Sequence, residues 1–240
     1  MESKQAAFAQ MENFTRRQFL RLGACACLAA CSSPLHSGSA PNPVLKIQPR
    51  TYWGALEPDL DASAEYGRFD RQSNPEGWLT YTEPLPEVYN TLIVHHSALP
   101  VADGPLEIQR LHMQNKGYAD IGYHFLINDR GGVSAGRVIQ ARGAHTGGFN
   151  TGTVGVVLLG NFESLQPTDL QLRALQSLGR YLANEYTLTH LAGHRDFQPG
   201  VTVCPGANLE PLLPTLANDL GLQFGSGGYV SPEWVISRGK

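Results

Sequence analysis

Two histidines and one cysteine have the side-chain types of a reactive metal site. His95, His194 and Cys204 together offer two imidazole nitrogens and one thiolate. Three such ligands leave the fourth tetrahedral position of a zinc ion free for water, and zinc lowers the pKa of that water to about 7. Because the three residues lie far apart in the sequence, the pattern predicts an open, catalytic zinc site that only the folded chain can assemble.

The identity of the first histidine ligand is left open by the local pattern. His96 follows His95 at the end of a predicted strand, Thr91–His96. Successive side chains on a strand point to opposite faces, so only one of the two can bind a given ion. This strand is apolar on both faces, and its periodicity does not distinguish them. The alternative for either residue is a hydrogen-bonded histidine of the core or its rim.

Three further residues have side chains that could assist such an ion. The hydroxyl of Tyr123 could orient the attacking water and donate to the developing oxyanion, although a tyrosine packed in the core is the commoner case. Thr202, two residues before Cys204, could donate its hydroxyl to the same oxyanion. His145 lies in a glycine-rich loop that lets a ligand approach the backbone, and we interpret it as substrate-binding; a purely conformational role for those glycines is the alternative.

The N-terminal segment is predicted to be an export signal. Residues 15–21 form a twin-arginine pattern, and the apolar run 22–30 that follows is shorter than the roughly 20 residues of a membrane span. Leu28-Ala29-Ala30-Cys31 resembles a bacterial lipobox, which predicts cleavage before Cys31 and a lipid anchor on it. We expect export and anchoring on the periplasmic side of the cell envelope, at the outer membrane if the host is Gram-negative. A buried N-terminal helix is disfavoured because it needs no paired arginine.

Cysteine usage and net charge limit which disulfides can form and which partners we expect. Cys25 and Cys27 fall in the predicted signal and Cys31 at the anchor, so Cys204 remains alone and no internal disulfide can form. Metal ligation would protect this thiol in an oxidising compartment. The chain has a net charge of −3 and no run of basic residues, which makes nucleic acid an unfavoured partner.

Alternating strand and helix patterns predict one α/β domain. Residues 1–30 are the predicted signal, 31–43 a Ser/Pro/Gly-rich tether, 44–213 the domain with its core at about 88–207, and 214–240 a C-terminal extension. A capping box at Thr168-Asp169-Leu170-Gln171 opens a helix that should reach about Tyr186. The segment Asp59–Pro86 is predicted to be an exposed excursion. The other predicted elements are strands at Gly122–Asn128, Val133–Val138, Thr153–Leu159 and His190–His194, and helices at Pro105–Lys116 and Asn208–Leu220.

Six short motifs, in this order, resemble the peptidoglycan recognition protein and type-2 amidase family, over about Ile47 to Leu213. They are Pro49-Arg50-Thr51-Tyr52-Trp53-Gly54-Ala55, Ile93-Val94-His95-His96-Ser97-Ala98, Asp120-Ile121-Gly122-Tyr123-His124-Phe125, Gly143-Ala144-His145, Val154-Gly155-Val156, and Gly193-His194-Arg195-Asp196 with Cys204-Pro205-Gly206. Each motif alone is weak, and six in family order are strong.

The resemblance implies a zinc-dependent N-acetylmuramoyl-L-alanine amidase acting on peptidoglycan or muropeptides. By this resemblance His95, His194 and Cys204 bind Zn²⁺, and Tyr123 matches the catalytic tyrosine. Thr202 occupies a position that carries lysine or threonine in other members. The implied fold is a central mixed β-sheet flanked by helices, with zinc in a surface groove.

Two departures from the family and two rival interpretations remain. Val157 stands where some members carry a candidate basic glutamate, so Tyr123 and zinc must supply that function. Val138-Ile139 stands where the family carries a Gly-Trp pair linked to meso-diaminopimelate preference, which leaves the stem-peptide preference open.

The first rival interpretation is a non-catalytic peptidoglycan receptor on the same fold, and Cys204 argues against it because such members commonly carry serine there. The second is a structural zinc site, which would need a fourth ligand such as His124 or His145.

Overall fold

Seven β-strands form one mixed sheet within residues 45–231, the part of the chain that the computed structural model describes. Their order is β1-β4-β3-β5-β2-β6-β7, and every neighbouring pair is parallel except β3 and β4. The strands are β1 Ile47–Gln48, β2 Thr91–His96, β3 Phe125–Ile127, β4 Val133–Ala135, β5 Thr153–Leu158, β6 His190–Gly193 and β7 Gln223–Phe224. The predicted α/β class, a single domain with a mixed sheet and flanking helices, is confirmed.

The predicted export signal (1–30), its Cys31 anchor and the tether (31–43) lie outside the described residues, as does the end of the predicted extension from residue 232. These remain predictions from sequence. Among the described residues, no helix combines the length and the apolarity that crossing a bilayer requires.

Five α-helices flank the sheet in the described part of the chain: α1 Leu85–Val88, α2 Pro105–Lys116, α3 Asp169–Glu185, α4 His194–Phe197 and α5 Leu213–Asp219. Helix α2 has the predicted bounds, because Pro105 suits the first turn and Gly117 adopts the left-handed conformation (φ 67°) that ends a helix. Helix α3 begins at the predicted capping box, where the Thr168 hydroxyl accepts from the Gln171 backbone N–H.

The two faces of the sheet pack against different helices, and this decides the orientation of the histidine pair. One face, with Leu92 and Val94 of β2, packs against the α3 leucines Leu175, Leu178 and Leu182. The other face meets Ile108 of α2. Because side chains alternate along a strand, His96 points to the α3 face and His95 to the opposite face.

Several predicted boundaries are wrong. Strand β3 begins at Phe125 rather than Gly122, because the Gly122 carbonyl accepts from the N–H of Ala144 in a loop instead of joining the sheet. Strand β4 ends three residues early at Ala135, and β6 ends one residue early at Gly193 because α4 begins at His194. The predicted closing helix from Asn208 is a short 3₁₀ turn followed by α5, whose first turn contains Pro214 and so lacks one N–H.

The segment Asp59–Pro86 is anchored to the domain rather than a simple exposed excursion. Its Glu65 is buried and forms a two-pronged ion pair with the buried Arg137, at 2.6 and 2.7 Å. The Arg137 guanidinium also lies 4.9 Å from the ring of Trp78, a buried residue of the same segment. Arg142 donates to the Pro75 and Gly77 carbonyls. These contacts hold the segment against the domain although many of its other residues are exposed.

Candidate active site

Three side chains from separate elements converge in one place. His95 is the second-last residue of β2, His194 begins α4, and Cys204 lies ten residues after His194 in the loop that follows α4. One potential ligand atom from each lies within 4.8 Å of the other two. His95 and Cys204 are buried, and His194 is half-buried. Within the described residues no other His, Cys, Asp or Glu joins this group.

The contacts around His95 indicate which of its ring nitrogens faces Cys204. Its Nδ1 lies 3.6 Å from Cys204 Sγ, and its Nε2 lies 3.1 Å from Nδ1 of His145. Ligands at the vertices of a zinc tetrahedron with Zn–N and Zn–S bonds of about 2.1 and 2.3 Å stand roughly 3.5 Å apart. The His95–Cys204 separation fits this spacing.

Burial sets the protonation of the potential ligands. It holds the pKa of His95 well below its usual value, with the neighbouring His145 and His194 acting in the same direction. Burial also lowers the pKa of His194, although the hydrogen bond that His194 donates to the Gln198 amide oxygen acts in the opposite direction. The imidazoles are therefore neutral, the form that binds metal. Burial raises the pKa of the Cys204 thiol to about 12, so a bound cation is needed to stabilise its thiolate. The donor set and its neutral imidazoles fit zinc.

The loop that contains Cys204 is tied to α4 through Arg195. The Arg195 backbone N–H donates to the Cys204 carbonyl at 2.9 Å, and its guanidinium donates to the carbonyl of Val203. Carboxylates of Glu163 and Glu210 lie 3.4 and 3.8 Å from the same guanidinium. The chain thereby folds back so that His194 and Cys204 face one point.

Tyr123 packs against the His95 ring, and Thr202 forms a hydrogen bond with the Cys204 backbone. The Tyr123 ring packs 5.1 Å from that of His95, centroid to centroid, and burial raises the pKa of its hydroxyl. Tyr123 therefore stays protonated and can donate a hydrogen bond. The Thr202 hydroxyl oxygen accepts from the Cys204 N–H at 3.1 Å, which leaves its proton available to another acceptor.

His145 lies behind His95 and also lines the groove. Its Nδ1 contacts His95 Nε2 at 3.1 Å and the Thr146 hydroxyl at 3.0 Å, while its buried Nε2 has no hydrogen-bond partner among the described residues. A Cβ atom at Gly143 or Gly155 would lie 2.4 Å from the His145 ring, so these glycines provide the space that the ring occupies. The structure thus gives His145 contact with His95 as well as with the groove.

Other histidines near the site have hydrogen bonds of their own. His96 Nδ1 accepts from the Phe162 N–H, and the His96 N–H faces Cys204 Sγ at 3.4 Å. His124 Nδ1 accepts from the Gly155 N–H and its Nε2 faces the Ala141 carbonyl. Neither His124 nor His145 belongs to the three-residue group, so the fourth ligand of a structural zinc site is not found there.

Two polar residues near the site are fixed by hydrogen bonds to the backbone. Asp196 accepts from the Gly193 N–H at 2.8 Å and so caps the start of α4. His112 is buried, its Nδ1 accepts from the Gly122 N–H, and it borders the groove.

A groove with a volume of about 370 Å³ opens beside His194. Tyr123, His145 and His194 lie along it, and Glu65 and Glu76 from the anchored segment form part of its wall. Lys116 and Arg142 also contribute, so the lining carries charges of both signs. Sequence reasoning missed Gln198, which lines the groove and contacts His194.

Comparison with known proteins agrees with this site. The family model described as N-acetylmuramoyl-L-alanine amidase (Amidase_2) matches residues 85–207. Peptidoglycan-recognition protein SC2 of Drosophila simulans is 37% identical over 114 residues, which cover 46% of this chain and 61% of that protein. The chain thus spans about three fifths of this insect relative.

Two further relatives carry amidase or lysin names. The endolysin of Klebsiella phage KP32 is 36% identical over 126 residues, half of this chain and 82% of the phage protein. The solved structure of N-acetylmuramoyl-L-alanine amidase LysC from Clostridium intestinale superposes with a TM-score of 0.52 at 31% identity, covering 60% of this chain and 95% of LysC. With its matching family model and its His-His-Cys group beside a groove, the chain belongs to the N-acetylmuramoyl-L-alanine amidase family.

Proposed function

We propose that the protein hydrolyses the amide bond between N-acetylmuramic acid and L-alanine in peptidoglycan or its fragments, with zinc as cofactor. The observation that carries this proposal is the convergence of His95, His194 and Cys204 within 4.8 Å beside an open groove. Family membership supports the bond that is cleaved.

The ligand set favours zinc over harder cations, because imidazole and thiolate suit zinc whereas magnesium and calcium prefer oxygen. When bound by His95, His194 and Cys204, zinc supplies Lewis acidity and makes water a nucleophile at neutral pH. Three protein ligands would leave such an ion one coordination position for substrate or water. His145 contacts Nε2 of His95, the ring nitrogen turned away from Cys204, and helps to fix that ring.

The remaining chemistry is assigned to two hydroxyl groups and the groove. Tyr123, protonated because burial raises its pKa, donates to the oxyanion that develops on the scissile carbonyl. The Thr202 hydroxyl, held by the Cys204 N–H, donates to the same oxyanion. Each such donor is typically worth about 3 kcal/mol of transition-state stabilisation. His145 lines the groove and binds the muropeptide there.

The second candidate is a receptor that binds peptidoglycan without cleaving it. The name of the insect relative, a peptidoglycan-recognition protein, supports binding as a shared property. The buried Cys204 favours the enzyme, because a receptor needs no thiol 3.6 Å from a histidine ring nitrogen. Intact muropeptides after long incubation with zinc-loaded protein, together with measurable binding, would favour the receptor.

The decisive test of the hydrolase is mass spectrometry of muropeptides incubated with wild type and with Cys204→Ser, each supplied with zinc. We expect peptide-free glycans and free stem peptides with the wild type and a large loss of both products with the variant. Equal product formation by both proteins would overturn the assigned zinc centre. The absence of product with a zinc-loaded wild type would overturn the hydrolase.

We also propose that the protein is exported and lipid-anchored through Cys31. The twin-arginine pattern at residues 15–21 and the lipobox ending at Cys31 support this proposal. Metabolic labelling with a palmitate analogue should mark the wild type and leave Cys31→Ala unlabelled and unprocessed. Labelling of Cys31→Ala to the same extent would contradict the anchor.

A further inference from the structure

Gln198 connects one of the proposed zinc ligands to the glycine-rich loop. It follows α4, four residues after His194, and its side chain is half-buried in the groove. Its Oε1 lies 3.0 Å from His194 Nε2, and its Nε2 donates to the Gly147 carbonyl at 3.0 Å. One amide thus contacts both His194 and Gly147, which lie 47 positions apart in the sequence.

The Gly147 carbonyl fixes the orientation of this amide. A carbonyl oxygen only accepts hydrogen bonds, so the NH₂ group of Gln198 must face Gly147 and its oxygen must face His194. An amide oxygen also only accepts, and therefore the proton of the neutral His194 ring belongs on Nε2. The lone pair of His194 is left on Nδ1.

We propose that Gln198 is a positioning residue for the metal centre: its amide holds His194 with Nε2 protonated and presents Nδ1 to the ion. This inference rests on the proposed function, since it assumes that His194 binds zinc. It adds a residue to that site, acting through His194 and not on the substrate.

The backbone of Gln198 strengthens this role. Its carbonyl accepts from the N–H groups of Val201 and Thr202, at 3.1 and 3.4 Å. The residue therefore stabilises the turn that leads to Cys204 while its side chain orients His194 and contacts the loop of His145 and Gly147. Removing the side chain leaves these backbone hydrogen bonds available, so the ring orientation can be perturbed separately from the turn.

Four variants test the proposal through zinc affinity, measured by chelator competition. Gln198→Leu keeps a similar volume and removes the acceptor, and we expect zinc affinity to fall about 10- to 100-fold, as is typical when the partner of a ligating histidine is lost. Gln198→Glu keeps an acceptor for His194 Nε2–H and should bind zinc nearly as the wild type does. Gln198→Lys offers only a donor and should bind zinc weakly. Gln176→Met on α3, which removes a hydrogen bond to Asp219 instead, should leave zinc affinity unchanged.

Nitrogen-15 NMR of the histidine rings gives a second readout that does not depend on activity. We expect a slowly exchanging Nε2–H resonance for His194 in the wild type and in Gln198→Glu, and its loss in Gln198→Leu. Wild-type zinc affinity in both the Leu and Lys variants, or a His194 ring protonated on Nδ1 in the wild type, would overturn the proposal. If Gln198→Leu fails to fold, the contrast between the Glu and Lys variants decides it. A wild type that binds zinc but cleaves nothing would overturn the proposed hydrolase and leave this test intact.

Discussion

Replacing Cys204 with serine should leave the stability of the zinc-free protein unchanged and weaken zinc binding. The substitution is nearly isosteric, and a serine hydroxyl can still accept from the His96 N–H that now faces the thiol at 3.4 Å. The zinc-free variant should therefore be about as stable as the zinc-free wild type. The thiolate ligand, however, is lost.

The size of the effect follows from ligand number and mass action. Zinc at a thousand times its Kd adds about 4 kcal/mol to the free energy of unfolding. That corresponds to a rise in Tm of roughly 8–16 °C for a domain of this size. Four-ligand zinc sites bind with about 10–16 kcal/mol, or about 3 kcal/mol per ligand, so loss of Cys204 should weaken binding about 150-fold. The same zinc concentration then adds only about 1 kcal/mol, or roughly 2–4 °C.

Differential scanning calorimetry of both proteins with and without zinc measures this difference. Magnesium serves as the control metal and should shift neither protein, because imidazole and thiolate are poor magnesium ligands. A Cys204→Ser protein that keeps the full zinc-induced rise in Tm would refute the reasoning, since the thiol would then contribute nothing to the metal centre.

Three further predictions concern the residues around this centre. Tyr123→Phe should lower kcat about 100-fold and leave zinc affinity unchanged, because it removes an oxyanion donor and no ligand; steady-state kinetics with chelator competition separates the two. Glu65→Gln should lower the free energy of unfolding in urea by about 3–5 kcal/mol, because it leaves the buried Arg137 charge without its partner; a loss below about 1 kcal/mol would contradict the buried ion pair. The zinc-free protein should also lose stability as the pH falls from about 6.5 towards 4. Burial lowers the pKa of His112 to about 3 and of His124 to about 4, so below pH 6.5 the unfolded chain binds more protons than the folded one, and each group contributes up to about 1.4 kcal/mol per pH unit. Urea titrations at pH 7, 6 and 5 that give equal stability would contradict this.

Local signals in the sequence predicted the elements that frame the site. Pro105 and Gly117 mark the two ends of α2, and the Thr168 capping box marks the start of α3, because each acts within one turn of its own helix. Strand boundaries were predicted less accurately where a distant loop competes for the backbone hydrogen bonds, as Ala144 does for Gly122 before the start of β3.

Long-range packing explains what the sequence left open. Strand β2 is buried on both faces, so periodicity could not distinguish His95 from His96; the leucines of α3 select the face, and they lie some 80 residues away. Glu65 was read as part of an exposed excursion because its partner Arg137 is 72 positions distant. Gln198 has no sequence signal of its own, since its role depends on Gly147 reaching the same point.

X-ray absorption at the zinc edge of the purified, zinc-loaded protein tests the central claim most directly. We predict one sulfur at about 2.3 Å and two imidazole nitrogens at about 2.0–2.1 Å, with the remaining position filled by an oxygen. The sulfur contribution should disappear in Cys204→Ser. A wild-type spectrum without sulfur, or one with four protein ligands, would contradict a three-ligand centre open to substrate.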